Sequence, residues 1–293
     1  MPPSRLSLLA LSGAVLIWGV TLPLTKVALR SFTSIEVTFL RFVFALPVLL
    51  LLVSRSQWSR ARVPIRYVLA LAGTGLVGFY LFLNLGLADV TVTTAALITA
   101  IGPALAAMLA LPVLGERPVR LVVAGIVLAV VGAAAVGWGG AAGGSATGVA
   151  FVFLATCSWA AYVVLVRWLG ARIETLPATA LSVLVSSVAL VPAAVTQPWH
   201  AASAAAWFAV AGIGVVGTGI GYVLWNFGAA RIDATVSGVY SNVVPLVSVL
   251  VAVTVLHEPA TAVVAVGGAA ILVGAVIATW PGGRMSDDIR EEA

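Results

Sequence analysis

The chain has 293 residues, of which 62% are hydrophobic and only 9% are charged. A soluble domain does not need so much apolar surface, so this composition excludes an ordinary soluble protein and indicates one that spans a lipid bilayer. The formal net charge of +5 could suggest a nucleic-acid partner, but the positions of the basic residues argue against that reading.

The chain divides into ten apolar stretches, each about as long as the 20 residues that cross a bilayer. Because these runs are continuously apolar, they predict helices and not the alternating strands of a barrel. A cleaved signal peptide is not expected, since the first stretch continues to Leu29 and has a counterpart in the sixth. The predicted spans are 8–29, 35–54, 66–86, 91–113, 119–138, 147–168, 177–196, 205–227, 234–256 and 261–280.

The basic residues gather at alternate ends of the predicted spans, as the positive-inside rule requires. This distribution predicts that both termini lie in the cytoplasm and that no nucleic acid is bound. Lys26 and Arg30 lie near the opposite side of the membrane. The residues on the predicted cytoplasmic side are Arg5, Arg55, Arg60, Arg62, Arg66, Arg117, Arg120, Arg167, Arg172, Arg231, Arg284 and Arg290.

The sequence contains two copies of one unit. A shift of 142 residues without a gap superimposes Tyr80 on Tyr222, Asn84 on Asn226, Pro103 on Pro245, Gly75 on Gly217 and Glu116 on Glu258. A shift of 141 residues pairs Trp18 with Trp159 and Lys26 with Arg167. Because each copy crosses the membrane five times, an odd number, the second copy is predicted to insert upside down. Inverted repeats of this kind are typical of secondary transporters.

The boundary between the copies falls in the glycine-rich residues 137–148, so the predicted units are 1–140 and 141–293, the second with a short cytoplasmic tail. The chain lacks a phosphate-binding loop, and its single cysteine, Cys157, leaves no basis for a disulfide or a cysteine metal site. No cofactor is therefore expected. The expected fold is an all-α membrane protein with ten transmembrane helices, arranged as two inverted five-helix repeats around a central cavity.

Polar side chains in the middle of a span are candidate substrate ligands, because a bilayer offers them no water. Tyr80 and Asn84 share one face of the third span, and Tyr222 and Asn226 repeat this in the eighth. Cross-linking of neighbouring helices is their alternative role. A pocket with such side chains and tryptophans suits a small amphipathic metabolite. The other candidates of this kind are Trp18, Thr99, Trp159, Tyr162, Tyr240 and Asn242.

Pro103 and Pro245 occupy matching positions near the middle of the fourth and ninth spans. A proline removes a backbone hydrogen bond, and paired helix interruptions in two halves point to a transport site. These prolines are therefore predicted to break the helices and take part in gating. A kink that only shapes the helix is the alternative.

Arg41 lies too deep in the second span to reach the lipid headgroups. It is predicted either to bind a substrate carboxylate or to cap carbonyls of a broken neighbouring helix. Lys26 and Arg167 lie nearer span ends and are expected to snorkel. No Asp or Glu lies in the middle of a predicted span, which argues against a proton-coupled exporter of lipophilic cations and favours zwitterions or anions.

Several short motifs stand in a fixed order along the chain, namely Trp18-Gly19, Arg41, 84–88, Pro103 and Gly115-Glu116, echoed by His257-Glu258-Pro259. With these motifs the repeated unit resembles the EamA domain of the drug/metabolite transporter superfamily, and the resemblance covers essentially the whole chain. The second copy departs from the pattern where His257 replaces Gly115 and where no arginine near Val183 matches Arg41.

The resemblance implies a permease of the bacterial inner (plasma) membrane that exports amino acids, aromatic and neutral ones foremost, by alternating access. A permease for another small metabolite, such as a nucleoside or organic anion, is the alternative. An enzyme is not expected, because the only histidines, His200 and His257, lie near span ends and no intramembrane carboxylate pair exists. Membrane lipid surrounds the chain, which is expected to be a monomer. Proton antiport and facilitated diffusion both fit these residues.

Overall fold

A computed structural model describes residues 5–60, 63–114, 120–138, 144–169, 173–229, 231 and 240–278 of the chain. These residues form an all-α membrane protein. The helices are α1 (Arg5–Ala28), α2 (Ser34–Leu52), α3 (Ile65–Asp89), α4 (Val92–Thr99 continued by Gly102–Leu114), α5 (Arg120–Trp138), α6 (Ala146–Leu169), α7 (Thr175–Val195), α8 (Ala204–Ala229), α9 (Val243–Thr254) and α10 (Ala262–Ala278). A short helix, Arg55–Arg60, precedes α3.

Seven helices of the described residues are long and apolar enough to cross a membrane, namely α1 to α4 and α6 to α8. The apolar parts of α5, α9 and α10 are shorter. Each predicted span overlaps one of these ten helices, while the start of the ninth span, at residues 234–239, lies outside the described residues.

The two halves of the chain pack in equivalent helix pairs. Helix α1 packs on α8 and α9, and its counterpart α6 packs on α3 and α4. Helices α2 and α7 contact each other, and the most extensive contact joins α5 to α10. Glycine permits that last contact, because a Cβ on Gly274 would lie 2.5 Å from the Gly125 carbonyl oxygen. The equivalent halves therefore interlock and do not stand side by side.

Helical geometry changes in the middle of α3 and α8. Both contain a π-helical segment, Ala72–Gly78 in α3 and Ile213–Ile220 in α8, and a shift of 142 residues places one on the other within a residue. Helix α4 is interrupted at residues 100–101, and a turn at Asn242 precedes α9. Pro103 and Pro245 lie in the first turn after these interruptions, where a missing backbone N–H breaks no helical hydrogen bond.

One face of the protein carries the end of α1, the α3–α4 turn and the end of α9, and we call it the Lys26 face. Lys26 lies at this end of α1, and its snorkelling to the headgroups stays a prediction. Its Nζ donates to the carbonyl oxygens of Leu87, Ala88 and Val90, at 2.6, 3.3 and 2.9 Å. The ammonium reaches these carbonyls because they close α3 and have no partner within the helix.

Candidate substrate site

The Arg41 guanidinium is buried between α2, α3 and α8, with 2% of the residue exposed. Its Nε donates to the Thr218 hydroxyl at 2.7 Å, and its central carbon lies 3.9 Å from the centroid of the Tyr80 ring. Among the described residues, Thr218 forms its side-chain hydrogen bond and Tyr80 its cation–π contact, and no carboxylate pairs with the guanidinium. A buried cation without a counter-ion is unfavourable, so the position is suited to an anionic ligand.

Two equivalent tyrosines meet beside this guanidinium. The hydroxyls of Tyr80 and Tyr222 lie 3.5 Å apart, and both residues are buried. Trp18 packs edge-on against Tyr222, with ring centroids 5.5 Å apart, and it also contacts Trp225 at 5.1 Å. Aromatic faces and one cation therefore share a single region where α1, α2, α3 and α8 meet.

The π-helical segment of α8 positions two of these side chains. The Thr218 hydroxyl, which receives the Arg41 bond, donates to the Ile213 carbonyl five residues earlier at 3.2 Å. The indole Nε1 of Trp18 donates to the Gly217 carbonyl at 3.0 Å. The wider turn of a π-helix leaves room for such bonds, which explains why Arg41 and Trp18 both bond to this segment.

Helix α6 meets the π-helical segment of α3 in an equivalent way. The Ser158 hydroxyl donates to the Thr74 carbonyl at 2.9 Å. Trp159 lies 5.0 Å from Phe79 and stacks on Tyr162 at 5.1 Å, measured between ring centroids. Because Phe79 also contacts Tyr80 at 4.8 Å, this second aromatic group is continuous with the first.

The two predicted asparagines occupy different environments. Asn84 is fully buried, its Nδ2 donates to the Thr38 hydroxyl at 2.8 Å, and its Oδ1 has no partner among the described residues. Asn226 is half-buried and donates to the Tyr222 carbonyl of its own helix at 2.7 Å. The equivalent asparagines are therefore not used equally, and only Asn84 links two helices.

The remaining predicted ligands lie outside the contacts around Arg41. Thr99 donates to the Ala96 carbonyl of its own helix at 2.9 Å. Asn242 is buried at the start of α9, and its Nδ2 has no partner in the described part of the chain. Tyr240 is half-buried and precedes the same turn. The structure thus joins Trp18, Arg41, Tyr80 and Tyr222 by direct contacts, in which these three described residues take no part.

A small cleft of about 10 Å³, enough for about one water molecule, lies between α3, α6 and α7. It approaches the second aromatic group through Tyr162 and comes within one turn of Tyr80 at Leu76. The lining residues are Leu71, Leu76, Tyr162, Val166, Ile173, Thr175, Ala178, Thr179 and Ser182. Since α6 ends and α7 begins here, the cleft opens away from the Lys26 face.

Sequence reasoning missed the hydroxyl residues that hold the site together. Thr218 and Thr38 each accept a hydrogen bond from a different helix that is far away in the chain. The sequence does show that glycines are dense in the third and eighth spans, and Gly75 and Gly217 occupy equivalent positions in the two π-helical segments. No sequence pattern identified Thr218 as the partner of Arg41.

A helical membrane protein with matched helix interruptions and a buried aromatic and cationic region is a transporter by class. The sequence profile of the EamA-like transporter family matches the chain twice, over residues 5–138 and 146–280. The chain belongs to this family, within the drug/metabolite transporter superfamily, and is a multi-pass secondary transporter and not an enzyme.

Known relatives extend over nearly the whole chain. A probable terminal-alkyne amino-acid exporter of Streptantibioticus cattleyicolor is 28% identical over 271 residues, covering 92% of this chain and 91% of the relative. An uncharacterized transporter of Archaeoglobus fulgidus is 25% identical over 276 residues, covering 92% and 97%. A crystal structure with 22% sequence identity has the same fold, with a TM-score of 0.69 over 94% of this chain and 97% of that one.

Proposed function

We propose that the protein exports amino acids, aromatic and neutral ones foremost. The observation that carries this proposal is Arg41, a buried guanidinium that has no carboxylate partner among the described residues. A substrate carboxylate would supply the missing charge and could bind the planar guanidinium through two hydrogen bonds. Among small metabolites, amino acids combine such a carboxylate with a variable side chain.

The aromatic residues beside Arg41 support a substrate with an apolar or aromatic side chain. Trp18, Tyr80 and Tyr222 offer ring faces and edges next to the guanidinium, and both kinds of ring contact are favourable. The name of the Streptantibioticus relative, an amino-acid exporter, points to the same substrate class.

Alternating access between two inverted repeats is the proposed mechanism. Repeats 1–140 and 141–293 would rock around a central cavity, which the equivalent packing of α1 with α8 and of α6 with α3 supports. The twofold family match and the odd number of five spans per copy favour inversion. Two repeats in one chain also remove the need for a second subunit, so a monomer is proposed.

The proposed orientation places both termini in the cytoplasm of a bacterial inner membrane, because arginines predominate at that side. The Lys26 face then lies outside the cell. In this orientation the small cleft between α3, α6 and α7 lies toward the cytoplasm, the side from which an exporter loads its substrate.

Uptake of radiolabelled amino acids into proteoliposomes tests the proposal. Wild-type protein is expected to give saturable uptake, and Arg41→Met to reduce it about tenfold or more because a charge-assisted pair is lost. Arg41→Lys is the matched control, which keeps the charge but not the two-pronged geometry and should retain part of the activity. Well-folded wild-type protein that moves no amino acid would refute this substrate class.

A permease for organic anions is the second candidate, because the same buried guanidinium would accept a carboxylate without an adjacent ammonium group. Competition distinguishes the two. Excess deaminated acid should compete with a labelled amino acid only weakly if the ammonium is recognised, and fully if only the carboxylate is. Decarboxylated amines should not compete in either case, and nucleosides complete the panel.

A further inference from the structure

The α3–α4 turn on the Lys26 face is held by two opposite charges from distant parts of the chain. Lys26 of α1 donates to three carbonyls of this turn, as described above. Glu258, which follows α9, accepts the backbone N–H groups of Val92 and Thr93 at 2.7 and 2.9 Å through its two carboxylate oxygens. The turn is therefore hydrogen-bonded by a cation from α1 and by a carboxylate from the residues after α9.

Each charge complements the helix end that it contacts. The end of α3 exposes carbonyls and carries the negative end of the helix dipole, where an ammonium is favoured. The start of α4 exposes N–H groups and carries the positive end, where a carboxylate is favoured. Because Lys26 and Glu258 bind adjacent residues of one turn, they connect α1 to the α9–α10 loop through it.

The backbone before Glu258 is shaped for this contact. His257 has φ of 55°, in the left-handed region, and the Glu258 N–H then bonds to the Ala252 carbonyl at 3.0 Å. A non-glycine residue in this region is strained, and strain persists where the surroundings impose it. The reversal after α9 thereby directs the Glu258 carboxylate toward the start of α4.

Beneath the turn lies a buried cluster of apolar side chains. Leu22 lies one turn before Lys26 on the same face of α1 and is 6% exposed. It belongs to one buried cluster with Leu83 and Leu87 of α3 and Ile98 of α4. Movement of the α3–α4 turn away from α1 would uncover this cluster first.

We propose that Lys26 and Glu258 form an ionic latch that keeps the Lys26 face of the transporter closed, and that release of the α3–α4 turn from this latch opens the path to the substrate site. This inference rests on the proposed alternating access. Both latch residues act on backbone groups, so the latch can open without breaking either helix.

Thiol labelling tests the latch without any transport substrate. Leu22→Cys is introduced into a Cys157→Ser background, and a membrane-impermeant maleimide is applied to right-side-out and inside-out vesicles. Lys26→Met and Glu258→Ala should each raise the labelling rate about tenfold or more from the Lys26 face alone, because the closed state loses its charged hydrogen bonds. In the proposed orientation this rise appears in right-side-out vesicles.

Two variants serve as matched controls. Arg30→Met removes an exposed basic residue one turn beyond Lys26 and should leave the rate unchanged, while Lys26→Arg keeps the donors and should stay near the wild-type rate. Unchanged labelling in both latch variants at wild-type thermal stability would overturn the proposal, as would a rise from the opposite face only. If Lys26→Met fails to fold, Glu258→Gln is tested in its place. An intermediate rise in the labelling rate is expected, and an unchanged rate would overturn the latch.

The outcome is separable from that of the transport assay. If the latch variants label faster but the wild-type protein moves no amino acid, the proposal of a latch stands and only the proposed substrate class is refuted.

Discussion

The hydroxyls of Tyr80 and Tyr222 lie 3.5 Å apart although the two residues are 142 positions apart in the chain, the distance that separates equivalent residues of the two copies. Each tyrosine thus meets its own counterpart. Such a contact between equivalent residues occurs where a local symmetry axis passes between two repeats. At this contact, a movement of one repeat directly displaces a side chain of the other.

A double-mutant cycle should detect this contact. Tyr80→Phe and Tyr222→Phe each leave one buried hydroxyl without its partner, and each should lower the free energy of unfolding by about 1 kcal/mol. The double variant removes both hydroxyls and should cost little more than either single change. Thermal unfolding in detergent measures all three, and strictly additive effects would show that the hydroxyls do not interact.

Thr218→Val should weaken substrate binding through Arg41. Valine has nearly the shape of threonine but lacks the hydroxyl that receives the Arg41 Nε, so the guanidinium loses its anchor. We expect the KM for uptake to rise about tenfold with little change in the maximal rate, since one hydrogen bond to a charged group is worth about 1.5–3 kcal/mol. Thr218→Ser keeps the hydroxyl and should behave as wild type; equal impairment of both variants would contradict this role.

Gly75→Ala should destabilise the contact between α3 and α6. A Cβ at Gly75 would clash with a ring carbon of Tyr162, so the stacked Trp159 and Tyr162 rings would have to move. Overpacking of this kind costs about 1–3 kcal/mol. Gly73→Ala is the control two residues away, where a Cβ meets nothing within 4 Å, and it should be neutral or stabilising. Thermal stability and uptake are compared for both, and equal behaviour would disprove the steric argument.

His257→Gly should stabilise the protein. Glycine adopts the positive φ of this position without the steric cost of a Cβ, which is about 1–2 kcal/mol. The first copy has glycine at the equivalent position, Gly115, which lies outside the described residues. His257→Ala keeps the strain and is the control. A melting temperature that falls for the glycine variant would show that the imidazole makes a compensating contact.

Much of the fold can be predicted from the sequence, because apolar segments adopt few structures in a bilayer. Every predicted span overlaps a helix, and the register of the repeat brings Tyr80 and Tyr222 to equivalent places. The depth of Arg41 in its span likewise predicts a buried guanidinium, which the structure contains. These inferences need only hydropathy and self-similarity, and both are local properties of the chain.

What escaped prediction depends on packing between helices. Thr218 becomes the partner of Arg41 only because α2 packs on α8, 177 residues away, and Lys26 finds carbonyls because α1 passes the end of α3. Asn84 and Asn226 are equivalent in sequence and yet differ in burial, since their neighbours differ. Hydropathy restricts which residues are buried but does not specify their partners.

The π-helical segments of α3 and α8 also determine the direction in which the side chains that follow them in each helix point. A π-helical turn holds one residue more than an α-helical turn, so each segment is equivalent to a residue inserted into a regular helix. Deleting one residue within Ala72–Gly78 would restore regular winding and rotate Tyr80 and Asn84 by about 100° away from Arg41, toward other neighbours. The orientation of the tyrosine pair is thus a matter of helical phase, and the same one-residue offset, present in both halves, keeps the two copies facing each other.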